Sequence, residues 1–290
     1  MKALHIGAGK IGRGFIGAEL VKSNYELTFA DVNTELVSAL NAQKSYTLHI
    51  MERDGWREEF SNIYAVEIGS EEFFERFTEA DIVTTAVSMA VLPKIATTIS
   101  TALQRRRINN RKSTLNIICC ENGVRATSLL KNCVIQLLDT QTIEWCKELV
   151  GFADCAVDRI VPIANFDNAL DVGVERYCEW SIDKKQIVGK QPAIVCANFT
   201  DNLEATIERK LSPALYFAYP VALALKYSLS TEALATAVAA AMRYRNDDDT
   251  ESQQLLAMIA RYGVAKSAEM VTRVANKDFL RLVEQKYSNF

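Results

Sequence analysis

Six residues near the start of the chain constrain its fold more than anything else in it. Gly7-Ala8-Gly9-Lys10-Ile11-Gly12 follows a strand-length apolar run, Lys2–Ile6, and opens the stretch Lys10–Lys22, where Ile11, Phe15, Ile16 and Leu20 recur at helical spacing. In a G-x-G-x-x-G between strand and helix, the first glycine makes the tight turn and the second lets backbone approach a pyrophosphate. The third lets the helix pack closely on the strand. N–H groups at the helix start then hold the phosphates. A second strand-like run, Glu26–Ala30, ends at Asp31. A carboxylate there accepts hydrogen bonds from ribose hydroxyls and repels a 2′-phosphate, and no arginine lies in Val32–Glu35 to offset it. The predicted cofactor is NAD, in preference to NADP, on Gly7, Ala8, Gly9, Ile11, Gly12 and Asp31.

The following residues continue the alternation of strand and helix. Thr34–Ala42 reads as a helix. Ser45–Met51 and Ile63–Ile68, with Arg53, Asp54 and Gly55 between, read as antiparallel strands around a turn. Asp81–Val87 and Leu115–Cys120 read as buried strands, with Val91–Arg105 and Arg125–Leu138 as the helices after them. Phe152–Val157 and Asp171–Ile182 add extended segments. Strand, helix, strand in that order imposes a parallel sheet covered on both faces. From Asp201 strand signals fade, and Ala233–Met242 is almost wholly Ala, Leu, Val and Met. The expected fold is α/β: a Rossmann-type, doubly wound, mostly parallel sheet over residues 1–195 and a reduced all-α domain over 196–290. The boundary is expected in Gly189–Asn198, near Pro192.

Composition excludes several classes. Among 290 residues, Lys plus Arg number 33 against 36 Asp plus Glu, a net charge of −3 that does not suit a nucleic-acid backbone. Seven cysteines, an odd number with no Cys-x-x-Cys, point away from a disulfide framework and toward a reducing, cytoplasmic setting. Two histidines, His5 and His49, make a metal site an unfavourable expectation. No apolar run has membrane-spanning length, and residues 1–6 are expected to enter the fold at once without a signal-peptide pattern.

Doubly wound sheets bind ligands at the C-terminal ends of their strands. Two such ends carry candidates: Thr84–Ser88, with Ala86 and Val87 beside the cofactor, and Glu121-Asn122-Gly123. Asn122 suits either a nicotinamide carboxamide or a substrate hydroxyl, while Glu121 is a candidate for orienting the loop. In Asp158-Arg159-Ile160-Val161-Pro162, Arg159 suits an anionic substrate group, or else an internal ion pair joining the sheet to the helical domain.

Several runs in order also carry a family resemblance: ALHIGAGKIGRGFIG (Ala3–Gly17), LTFADVN (Leu27–Asn33), DIVTTAV (Asp81–Val87), LNIICCENGVRAT (Leu115–Thr127) and AVDRIVP (Ala156–Pro162). EWSIDK (Glu179–Lys184), TDNLEATIERKL (Thr200–Leu211) and AAAMRYRNDDD (Ala239–Asp249) extend it. Together these resemble the mannitol-1-phosphate 5-dehydrogenases of the long-chain polyol dehydrogenase family. The resemblance implies NAD-dependent hydride transfer with a polyol phosphate, polyol or related small hydroxy compound, with Lys210 as the general base.

The chain also departs from that family. The asparagine and histidine that follow the lysine in the family are Leu215 and Ala218 here, and after Ser212-Pro213 a central part of the helical domain is missing. Tyr216, Tyr219, Tyr227, Arg243 and Tyr244 are the polar-tipped residues nearby. The alternative reading is therefore a family member without dehydrogenase activity, acting as sensor, scaffold or subunit, or one that turns the cofactor or Lys210 to another reaction. The apolar run Ala233–Met242 in a shortened domain predicts a homodimer through the helical domains.

Overall fold

The computed structural model describes residues 1–51, 55–162, 164–211, 221, 224–225, 230–243 and 250–289. The chain divides into two compact units, Met1–Leu203 and Glu204–Phe290.

The first unit is built on a six-stranded sheet. Its strands are β1 (Lys2–Ile6), β2 (Glu26–Asp31), β5 (Tyr64–Glu67), β6 (Ile82–Thr85), β7 (Leu115–Cys119) and β8 (Val150–Phe152), in the spatial order β5-β2-β1-β6-β7-β8. All five pairings are parallel. The order reverses at β1, with β2 on one side and β6 on the other, so the doubly wound topology opens its ligand crevice beside the end of β1. Helices α2 (Thr34–Gln43), α3 (Glu71–Glu79), α4 (Leu92–Ile108), α5 (Ala126–Ile135) and α6 (Thr140–Leu149) fill the connections. Because both faces are covered, the strands are apolar at consecutive positions. Ala3, Ile82 and Ile118 pack into one core, while Leu4, Val83 and Ile117 pack into the other.

Between β1 and β2 the helix expected over Lys10–Lys22 is in part a π-helical turn, Gly12–Gly17, that runs into the short α1 (Ala18–Lys22). Its sequence GRGFIG lets backbone come close on two sides: a Cβ on Gly17 would lie 2.5 Å from Phe29 Cζ. Asn33 caps α2 by accepting from the amides of Glu35 and Leu36, and Ser70 caps α3 by accepting from Phe73.

Two three-stranded sheets flank the main one. In the first, β3 (Ser45–Ile50) pairs antiparallel with β4 (Arg57–Ser61) and parallel with β10 (Val172–Val174). The antiparallel partner of β3 is thus 57–61. The segment 63–68, expected to fill that role, instead joins the main sheet beside β2. Alternation of apolar and polar residues marks a half-buried strand but does not say which neighbour it takes. In the second, β11 (Glu179–Asp183) lies between β9 (Cys155–Asp158) and β12 (Ala197–Thr200).

Helix α7 (Leu203–Leu211) starts at the boundary between the units. Beyond it lie α8 (Glu232–Arg243), α9 (Thr250–Tyr262), α10 (Val264–Thr272) and α11 (Lys277–Asn289). Ala235, Val238, Ala239 and Met242 of α8 form a core with Ala268, Phe279, Leu280 and Val283. The opposite side of α8 exposes Ala233, Ala237 and Ala240. That helix reads as apolar all round, yet its uncovered side is alanine, the apolar residue with least surface to bury. Among the described residues no helix is long and apolar enough to cross a membrane.

Candidate functional site

The site is built where β1 ends. The Gly7 amide donates to Ala30 O at 2.8 Å, tying the turn to β2. Gly7 has φ +104°, and a Cβ there would sit 2.5 Å from Ala86 O and 2.9 Å from Val87 Cγ1. A Cβ on Gly12 would lie 1.9 Å from Gly7 O and 2.8 Å from His5 Nε2. The loop is therefore closed at both ends, at Gly7 against the backbone that follows β6 and at Gly12 against its own backbone. Gly9 is different, because nothing lies within 4 Å of its Cβ position. The open side of the loop is at Gly9, the position where a pyrophosphate needs close backbone approach. Ile11 is half exposed on the same loop.

Asp31 ends β2 and holds the loop from the other side. Its Oδ2 accepts from the Ala8 amide at 2.7 Å and its Oδ1 from the Asn33 amide at 2.9 Å. The Ala8 N–H is thus committed inside the protein, and the carboxylate is fixed in place beside the loop.

The second wall of the crevice is set by Glu121, buried at the end of β7. Its carboxylate accepts from Thr85 Oγ1 at 2.7 Å, from the Val87 amide at 3.0 Å and from the Ser88 amide at 2.6 Å. The Ala86 amide donates to Ile6 O at 2.9 Å. Ser88 takes φ +93°, the left-handed region a non-glycine residue rarely enters, and the Glu121 anchor holds it there. Of the two roles open to this strand end, Glu121 takes loop orientation, while Asn122 is exposed. Gly7, Ala86 and Val87, predicted from separate motifs, come together here.

Two residues under the loop were not singled out from the sequence. Arg13 is buried, donating from Nη1 to Ala8 O and from Nε to Leu170 O at 3.0 Å. It places a positive charge behind the glycine loop, and Tyr46 donates to its backbone oxygen at 2.8 Å. An arginine in the otherwise apolar start of the first helix was the available signal. His5 is fully buried, with Nδ1 2.7 Å from Thr84 Oγ1. Desolvation pulls its pKa down from 6.5 to about 3, against a raising contribution from the Gly7 backbone, so it packs as a neutral imidazole.

Arg159 forms an internal ion pair, but within the first unit and not to the helical domain as expected. Its side chain is 2% exposed and pairs with Glu19 Oε1 at 3.3 Å. Its Nε and Nη2 donate to Glu175 O at 3.2 and 3.1 Å. The pair ties the end of β9 to α1 within the first unit, and the fork of donors is already spent on protein acceptors.

Lys210 belongs to α7, but its side chain lies outside the described residues. Leu215, Tyr216, Ala218, Tyr219, Tyr227 and Tyr244 lie outside them altogether. Arg243 is exposed on α8 and donates to Tyr287 O at 2.9 Å.

A family model, the mannitol dehydrogenase Rossmann domain, matches residues 1–196. The chain belongs to the mannitol dehydrogenase family. Solved structures of the same fold include Pseudomonas fluorescens mannitol 2-dehydrogenase, in a ternary complex with NAD and D-mannitol. It shows 13% identity and a TM-score of 0.64, covering 100% of this chain and 91% of that one. D-mandelate dehydrogenase with NADH and anilino(oxo)acetate gives 14% identity and a TM-score of 0.52 over 100% and 80% of the two chains. Octopine dehydrogenase with NADH and agmatine gives 12% and 0.52 over 99% and 74%.

The residues of this family member fit a dinucleotide on their own terms. Gly9 presents open backbone, Arg13 supplies charge behind the loop, and Asp31 is an acceptor at the end of β2. The residues 32–35 carry no cation to receive a 2′-phosphate, so the donor set fits NAD.

Proposed function

We propose that the protein is an NAD-dependent oxidoreductase that oxidises a CH–OH group of a polyol phosphate, polyol or related small hydroxy compound to a carbonyl. The observation that carries this reading is the open backbone at Gly9, flanked by Asp31 and by the Ala86–Val87 wall that Glu121 fixes. When bound, NAD supplies the hydride acceptor. The chain positions it: the Gly7–Gly12 loop takes the pyrophosphate, Asp31 the adenosine ribose, and Asn122 the carboxamide end or the substrate hydroxyl. The resemblance assigns Lys210 the hydroxyl proton, which a lysine takes when its surroundings lower its pKa toward neutrality. Membership of the mannitol dehydrogenase family supports the reaction class, and the mannitol-1-phosphate 5-dehydrogenase motifs support a phosphorylated polyol.

A homodimer through the helical units would cover the alanine side of α8. All seven cysteines are free thiols, which suits a reducing, cytoplasmic setting. A monomeric mass by light scattering at micromolar concentration rules the dimer out.

The test is a panel of polyols and polyol phosphates incubated with NAD and followed by NADH absorbance. Turnover of at least one phosphorylated polyol, lost in Lys210→Ala while NAD affinity is kept, is the expected result. Tight NAD binding with no turnover of any compound favours the second reading, a cofactor-binding family member without dehydrogenase activity. The replacement of the family's asparagine and histidine by Leu215 and Ala218 is what motivates that reading.

A further inference from the structure

One cluster outside the crevice joins residues from three parts of the first unit. Glu19 on α1 is buried, and Cys178 and Cys196 stand half-buried just before β11 and β12, which pair with each other. The two Sγ atoms and a Glu19 carboxylate oxygen all lie within 4.8 Å of one another. Two cations sit on the same carboxylate: Arg159 Nη1 and Lys22 Nζ are each 3.3 Å from Glu19 Oε1. Lys22 also reaches Glu58 Oε2 at 2.7 Å. Two thiols and a carboxylate are a possible metal set, but Glu19 already carries two positive charges. No fourth ligand completes the closed tetrahedral site a structural zinc uses, among the described residues.

The surroundings suit thiol chemistry better. The hydrogen bond from Cys196 brings the Cys178 thiol down to about 7 against desolvation and Glu19, with Arg159 and Lys22 helping. The same contact pushes Cys196 up. One thiol is thereby poised as thiolate and its neighbour as a protonated partner, and both are partly open to solvent. Burial, with smaller contributions from neighbouring groups, pushes Cys119 and Cys146 up to about 12, which leaves them inert.

We propose that Cys178 and Cys196 form a redox-active dithiol that closes to a disulfide on reaction with a low-molecular-weight disulfide such as oxidised glutathione. In the first step the Cys178 thiolate attacks one sulfur of the small disulfide and breaks its S–S bond. A mixed disulfide forms and one small thiolate leaves, taking a proton from water. In the second step Cys196 loses its proton to water and its sulfur attacks the Cys178 sulfur. The bond to the small thiol breaks, and the second small thiolate departs and takes up a proton from water. The pair is oxidised by two electrons and the small disulfide is reduced to two thiols. Closure to a bond of about 2.05 Å needs movement of the two side chains from their present separation. The cross-link spans the entries to β11 and β12.

The intact wild-type chain tests this directly. It is equilibrated in buffers of reduced and oxidised glutathione, quenched with acid, alkylated and mapped by peptide mass spectrometry. The expected product is a Cys178–Cys196 cross-link, two hydrogens lighter, that forms before any adduct on Cys133 and reverses with dithiothreitol. Cys196→Ser should trap glutathione on Cys178, and Cys178→Ser should abolish the cross-link, each variant being checked for native circular dichroism. The proposal is overturned if the oxidised wild-type chain carries no such cross-link, or if glutathione adds first elsewhere. It is also overturned if one equivalent of zinc alone, at micromolar concentration, protects both thiols from alkylation in the reduced protein.

Discussion

Adding one methyl group to the loop at two positions separates its binding role from its packing role. At Gly9 the new Cβ has nothing within 4 Å, so Gly9→Ala introduces no clash in the free protein. The substitution reduces the freedom of the unfolded chain, and stability is expected unchanged or raised by up to about 1 kcal/mol. The same methyl occupies the space into which a pyrophosphate must come. Loss of one charge-assisted hydrogen bond costs about 1.5–3 kcal/mol, and the dissociation constant for NAD should rise roughly ten- to hundredfold. At Gly12 the methyl would sit 1.9 Å from Gly7 O, a backbone atom that cannot swing aside, and 2.8 Å from His5 Nε2. Overpacking of this kind costs roughly 1–3 kcal/mol or more. For a chain of this size that is a fall of several degrees in Tm. Calorimetric titration of NAD and thermal denaturation of both variants make the comparison. Wild-type NAD affinity in Gly9→Ala, or an equal loss of stability in the two variants, would refute the assignment of Gly9 to the ligand and Gly12 to the fold.

Other substitutions probe the walls and the supports. Asp31→Ala should weaken NAD binding and narrow its advantage over NADP, measured by titrating both nucleotides; an unchanged ratio contradicts the role given to the carboxylate. Glu121→Gln removes the charge that accepts from Thr85, Val87 and Ser88, and a loss of about 1.5–3 kcal/mol is expected with weaker NAD binding. Breaking the buried Arg159–Glu19 pair by Arg159→Met should destabilise by about 3–5 kcal/mol, and any active fraction should keep its KM. A raised KM in a stable variant would return Arg159 to the substrate. His5 sets a pH window. Its folded pKa of about 3 lies below the ordinary 6.5, so below pH 6.5 the unfolded chain takes up a proton that the folded one refuses. Stability is therefore unaffected above that pH and falls as pH drops from 6.5 toward 3, and His5→Asn should flatten that part of a denaturation series.

The cofactor half of the fold was legible because its signals are local. A glycine pattern between an apolar run and a helical repeat, then Asp31 at the end of the next run, specify the first β-α-β unit and its ligand crevice together. Neighbour choice was less legible. The segment 63–68 reads as an antiparallel partner of β3, yet 64–67, with Ala65 and Val66 buried side by side, lies parallel beside β2 at the edge of the main sheet. The helix Thr140–Leu149 went unread although Asp139 caps it, because TQTIEWCKEL has few apolar residues to show a period. Arg159 left two readings open in sequence, and only the burial of Glu19 140 residues earlier decides between them. The thiol pair was invisible for the same reason. Cys178 and Cys196 share no motif, and it is the pairing of β11 with β12 that brings them to Glu19.

Hydride passing directly between NAD and a carbinol carbon leaves an isotopic signature. The protein is incubated with NADH dideuterated at C4 and a panel of ketoses and ketose phosphates, and the polyol products are weighed by mass spectrometry. The expected product carries one deuterium at the new carbinol carbon. Label lost to solvent, or no polyol from any ketose while NADH saturates the protein, would contradict direct transfer.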